Sequence, residues 1–208
     1  MAWFFTIVCL LALGATLYTE WQRPRQKRIP KMVASSAFIG VAFAAGALDT
    51  TFGKIMIAGL VLSWFGDLFL TYDGRGPFVA GLVAFLTGHV AYVAAFMNRG
   101  LGADVYLPLL GMAVVAIPIA LWLFPTVPSE LKGPVVAYMV IISVMVAAAV
   151  ATNASNADWR IPTGAIAFYL SDIGVARDRF ASPGVVNRLV GLPLYFGGQL
   201  LLAWAAGG

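Results

Sequence analysis

Eight long apolar runs, with nearly all the charge confined to the short breaks between them, constrain this chain more than any other feature. They lie at residues 2–19, 32–48, 54–72, 77–97, 105–124, 133–151, 161–177 and 189–206, and six of them contain no Asp, Glu, Lys or Arg. A helix needs roughly 20 mainly apolar residues to cross a hydrocarbon layer of ~30 Å. In lipid an open chain must satisfy its own backbone polar groups, which a helix does and an unpaired strand does not. The runs also lack the alternation of barrel strands. The expected fold is therefore all-α, a polytopic membrane protein of eight transmembrane helices forming a single domain over residues 1–208. Composition agrees: 61% of the 208 residues are hydrophobic and 11% charged, against ~25% charged in soluble domains. That argues against a soluble enzyme and a disordered chain. A lone cysteine, Cys9, excludes an intramolecular disulfide and a CxxC metal site.

The breaks carry turn chemistry, as in Asp73-Gly74-Arg75-Gly76-Pro77 and Ser182-Pro183-Gly184. The first run resembles a signal peptide in length, but no Lys or Arg precedes Arg23, so it is expected to be a retained span. If spans alternate sides, the first, third, fifth and seventh connections share one side. They hold Arg23, Arg25, Lys27, Arg28, Lys31, Arg75, Lys132, Arg177, Arg179 and Arg188, ten of the thirteen basic residues. Basic loops stay in the cytoplasm, so both termini are expected outside it. The cluster from Arg23 to Lys31 reads as this topology signal or as a site for anionic headgroups. The third run ends in Gly66-Asp67-Leu68 and the seventh in Ser171-Asp172-Ile173, with the two acids 105 residues apart. That spacing hints at a 4+4 parallel internal repeat, of the kind several transporters use.

Ionisable residues inside spans are costly and mark function. Of nine acids only Asp67 and Asp172 fall well inside runs, each about a turn or more from the same boundary. The only histidine, His89, lies within the fourth run with Tyr92 one turn on. It reads either as a donor facing a polar cavity or as an interhelical hydrogen bond. Lys31 and Ser35 open the second run, and Tyr195 and Gln199 share a face of the last. Lys31 has three readings: snorkelling to headgroups, pairing with an Asp, or meeting a substrate phosphate. Gly81, Gly88, Gly197 and Gly198 read as close-packing positions. All these polar groups fall at similar depth, as around one cavity that takes a lipid-like substrate. No nucleotide loop or metal motif occurs, so neither cofactor nor metal is expected, and nothing points to nucleic acid.

Lys31, Gly66-Asp67-Leu68-Phe69-Leu70, Phe85-Leu86-Thr87-Gly88-His89-Val90-Ala91-Tyr92, Gly164 through Asp172, and Leu194-Tyr195-Phe196-Gly197-Gly198-Gln199-Leu200 form an ordered series that resembles the YhhN family. That family is the bacterial branch of the lysoplasmalogenases. The resemblance covers nearly the whole chain. It implies an eight-helix enzyme of the bacterial inner membrane that hydrolyses the vinyl ether bond of lysoplasmalogens. The implied products are a fatty aldehyde and glycerophosphocholine or glycerophosphoethanolamine.

The residues suit that chemistry. Vinyl ether hydrolysis needs an acid to protonate the alkene carbon and a second carboxylate to manage the cation and the water, a division also used by glycosidases. Asp67 and Asp172 are the expected catalytic pair. Lys31, Ser35, His89, Tyr92, Tyr195 and Gln199 are the expected substrate-binding or orienting residues, with the lysophospholipid and the bilayer as partners. A proton-coupled transporter is the alternative, since mid-membrane acids and a repeat suit it too.

Overall fold

The computed structural model describes residues 1–22, 28–102 and 104–208; the expectation for Arg23, Arg25 and Lys27 lies outside them. Among the described residues there are eight α-helices and no strand: α1 Ala2–Gln22, α2 Arg28–Ala44, α3 Thr51–Leu70, α4 Arg75–Arg99, α5 Tyr106–Leu123, α6 Ser129–Asn156, α7 Arg160–Ala176 and α8 Val185–Ala205. Each corresponds to one of the apolar runs. Six are long and apolar enough to cross a membrane, so the chain is a multi-pass membrane protein. The other two, α2 and α7, have 17 residues each, about 26 Å at 1.5 Å per residue. Both open with a proline in the first turn, Pro30 and Pro162, where its missing N–H does no harm. α2 is followed by a left-handed turn at Gly46. α7 instead runs on into a π-helical turn, Arg177–Ala181.

The helices pair mainly as sequential hairpins, α1 with α2, α3 with α4, and α7 with α8. Glycines set the closeness of two of these pairs. A Cβ on Gly59 or Gly66 of α3 would fall within 2.5 Å of the ring of Tyr92 or Phe85 on α4. Gly164 and Gly198 face each other across α7 and α8, each within 3 Å of the other's carbonyl oxygen at the Cβ position. Gly197, next in sequence, has nothing within 4 Å, so it is not the packing position expected of it. α5 lies outermost: within it only Leu123 is buried, as in a helix whose other faces meet lipid.

The helix ends that flank the odd-numbered connections gather at one end of the bundle. There Arg28 lies over the Tyr72 ring at 4.0 Å, Arg75 pairs with Glu130 at 3.5 Å, and Arg188 pairs with Glu20 at 2.9 Å. At the other end Asp158 pairs with Arg99 and Arg160, and Arg160 donates to the carbonyls of Trp204 and Gly208. Successive helices therefore alternate in direction, and the basic-rich connections share one end.

Candidate active site

A cavity of about 520 Å³ enters the bundle from the end that holds the odd connections. That volume is in the range of sites for small ligands. One wall is polar, with Lys31, Asp67, Tyr138, Asp172 and Tyr195. Much of the remaining lining, from α4, α5 and α6, is apolar, with Phe78, Leu82, Ile119, Leu123, Val135 and Ile142. The cavity can thus hold a molecule that is part polar and part oily.

Asp67 stands on the last turn of α3, where the antiparallel α2 brings its first turn alongside. Its Oδ1 lies 3.1 Å from Lys31 Nζ. Its Oδ2 accepts from Ser35 Oγ at 2.6 Å and from Tyr195 Oη at 2.6 Å. The carboxyl is 1% exposed, so it is a buried charge matched by one cation and two hydroxyls. A buried charge without such partners would cost several kcal/mol. Behind Tyr195 the chain of bonds continues. Gln199 Nε2 donates to Tyr195 Oη at 3.3 Å, and Tyr92 Oη donates to Gln199 Oε1 at 2.8 Å. Four helices therefore fix one carboxylate: α2, α3, α8 and, at one remove, α4.

Asp172 is held differently. Tyr138 of α6 donates to its Oδ2 at 2.6 Å, and among the described residues no cation pairs with it. It is partly open to the same cavity. Two carboxyls of contrasting surroundings thus line one space.

The protein-family model that matches this sequence is the YhhN family, over residues 26–206. The chain belongs to the YhhN family. Similar proteins include lysoplasmalogenase TMEM86A of Bos taurus, 32% identical over 157 residues, which cover 73% of this chain and 64% of that protein. Lysoplasmalogenase TMEM86B of Homo sapiens is 33% identical over 190 residues, 90% of this chain and 76% of that one. A lysoplasmalogenase of Mycobacterium tuberculosis is 28% identical over 181 residues, 78% of this chain and 64% of that protein. The YhhN chain thus spans 64% of the length of the bovine and mycobacterial relatives. No solved structure matches it.

Of the residues singled out from the YhhN sequence, Lys31, Asp67, Asp172 and Tyr195 line the cavity. Ser35, Tyr92 and Gln199 stand behind its wall, within the bonds that fix Asp67. His89 is fully buried in an aromatic box, 4.7 Å from the Phe168 ring and 5.2 Å from Tyr138 by ring centroids. Neither of its ring nitrogens has a hydrogen-bond partner among the described residues. Sequence reasoning missed Tyr138, whose apolar setting in α6 gives no sign of a carboxylate opposite. It also missed Arg188, which joins Glu20 and Asp178 at the cavity mouth.

Proposed function

We propose that this chain hydrolyses the vinyl ether bond of lysoplasmalogens, releasing a fatty aldehyde and glycerophosphocholine or glycerophosphoethanolamine. The observation that carries the reading is the pair of unequal carboxyls, Asp67 and Asp172, on the polar wall of one half-apolar cavity. The relatives named lysoplasmalogenase supply the substrate class.

In this reading Asp67 is the ionised member, because Lys31, Ser35 and Tyr195 all present positive hydrogens to it. Asp172 is the acid, since it has no cation beside it and borders the apolar space. Its proton passes to the alkenyl carbon distal to the ether oxygen, leaving an oxocarbenium ion that the Asp67 carboxylate stabilises. Water adds at the carbon next to oxygen and gives its proton to Asp67, forming a hemiacetal. In the collapse, Asp67 returns that proton to the departing glycerol oxygen. Asp172 takes the hemiacetal hydroxyl proton as the carbonyl forms. Both carboxyls end as they began, and the net reaction consumes one water.

The same proposal places all eight helices across a bacterial inner membrane, in two parallel four-helix halves. The odd connections and the cavity mouth face the cytoplasm, with both termini outside. The direct test of the activity is mass spectrometry of a lysolipid mixture incubated with purified protein in detergent. Selective loss of alkenyl lysolipids with matching aldehyde is expected. Loss of ester lysolipids alone, or no loss, would exclude it.

A further inference from the structure

At the cavity mouth, Arg188 in the first turn of α8 crosses to two other elements. It lies 2.9 Å from Glu20 near the end of α1 and 2.9 Å from Asp178 in the π-helical turn that follows α7. Asp178 also accepts from the Gly184 N–H at 2.8 Å, which ties the start of α8 to the π-helical turn. Arg179, beside Asp178 in sequence, lies over the Phe78 ring at 4.4 Å. Both arginines line the cavity.

Lys31 is the third cation of that lining, and Asp67 already holds it. A ligand phosphate that reached Lys31 would share its ammonium with the Asp67 carboxylate, and two anions would then sit side by side away from water. Arg188 holds two carboxylates as well, but it lies nearer water and has more donors. A guanidinium has five N–H donors, and the contacts with Glu20 and Asp178 are made by Nε and Nη1, so donors remain for a third oxyanion. Its side chain is 35% exposed against 11% for Lys31. Arg188 is two turns of α8 from Tyr195, about 10 Å along the axis at 1.5 Å per residue. The scale suits a lipid whose reacting bond lies at Asp67 and whose phosphate lies toward water.

We infer that Arg188, seconded by Arg179, binds the phosphodiester of the substrate headgroup at the cavity mouth, in the role expected of Lys31 from sequence. The inference rests on the proposed function. Fork-shaped donors suit a phosphodiester better than an ammonium does. The site acts on ground state and transition state alike, so its loss falls on KM.

The test uses the full chain in detergent, with lysoplasmenylcholine and the matching 1-alkenylglycerol, which keeps the vinyl ether and lacks the phosphate. For Arg188→Gln, kcat/KM on lysoplasmenylcholine is expected to fall about 10- to 100-fold, mainly through KM. The loss on alkenylglycerol should be at least tenfold smaller. Arg188→Lys keeps Glu20 and Asp178 neutralised and should recover part of the loss; it decides the matter if the Gln variant does not fold. Equal losses on both substrates would make Arg188 only a latch between α1 and the loop before α8, and overturn the assignment. Glycerophosphocholine should inhibit the wild type and lose its effect in Arg188→Gln. Inhibition by inorganic phosphate alone, without headgroup preference, would mean a free-phosphate site and also overturn it. If the wild type cleaves neither vinyl ether, the proposed function fails. Thermal stabilisation by a non-cleavable 1-O-alkyl lysophosphocholine then decides the phosphate site. A shift that is reduced in Arg188→Lys and lost in Arg188→Gln supports it, and an equal shift in wild type and both variants refutes it.

Discussion

Nζ of Lys31 lies 3.1 Å from Oδ1 of Asp67, across the facing ends of α2 and α3. Both side chains are buried, so the cation serves the carboxylate before it serves any ligand. Lys31→Ala should therefore lower kcat for vinyl ether hydrolysis about 100-fold or more, with a smaller change in KM. Thermal unfolding in detergent should show a loss of about 3–5 kcal/mol, because Asp67 is left buried with no cation. Steady-state kinetics separate the cases: a raised KM with kcat intact would return Lys31 to the substrate phosphate.

Among the described residues Tyr138 is the one hydroxyl that donates to Asp172. Tyr138→Phe keeps the ring against His89 and removes that donor. A loss of roughly 10- to 100-fold in kcat is expected, as for a hydrogen bond to the carboxylate that Asp172 becomes on giving up its proton. Tyr92→Phe breaks the outer bond to Gln199, two residues away from Asp67. It should cost about 1 kcal/mol of stability and less than about fivefold in rate. Comparable rate losses in the two variants would show that the assay reports folding rather than a role at Asp172.

His89 occupies a box of Phe168 and Tyr138 with both ring nitrogens unpartnered among the described residues, and it does not line the cavity. A buried polar group without a partner is a cost. His89→Leu should leave the melting temperature unchanged or higher and reduce activity less than about tenfold, short of the range for a positioned acid or base. A loss as large as that of either Asp variant would make His89 a proton donor to the reaction.

How much was legible in advance depends on the range of the interaction. All eight helices follow from where charge is absent or sparse, because in lipid a long apolar run has one good conformation. Their ends were less legible. α6 runs through Asn156 rather than stopping near residue 151, since a helix continues past the apolar run until a residue such as Ala157 turns left-handed. Asp67 and Asp172 stood out because a lone acid in an apolar run has no local explanation. Their partners did not. Tyr138 in α6 looks like any aromatic of a span, and Arg188 looks like one more loop charge. What makes them matter is a contact 34 residues away in one case and a bridge from α8 back to α1 in the other. Lys31 was visible, but its choice between carboxylate and phosphate is a matter of distance, which spacing along the chain does not carry.

Ion pairs and a cation–ring contact join the odd connections at one end of the bundle. The basic asymmetry assigns that end to the cytoplasm. A reporter active only outside the cytoplasm should work when fused after Gly208 and fail when inserted at residues 23–28. The reverse pattern would invert the topology and put the cavity mouth on the outer face.

The central claim is that Asp172 and Asp67 together perform the hydrolysis. It is tested most directly by aldehyde release from lysoplasmenylcholine by purified wild type, Asp172→Asn, Asp67→Asn and the double variant at matched concentrations of folded protein. Asn keeps the shape and loses the proton transfer. Each single variant is expected to lose about 100- to 10,000-fold, and the double variant little more than either, because the two carboxyls act as a unit. Activity within tenfold of wild type in both single variants would contradict the account.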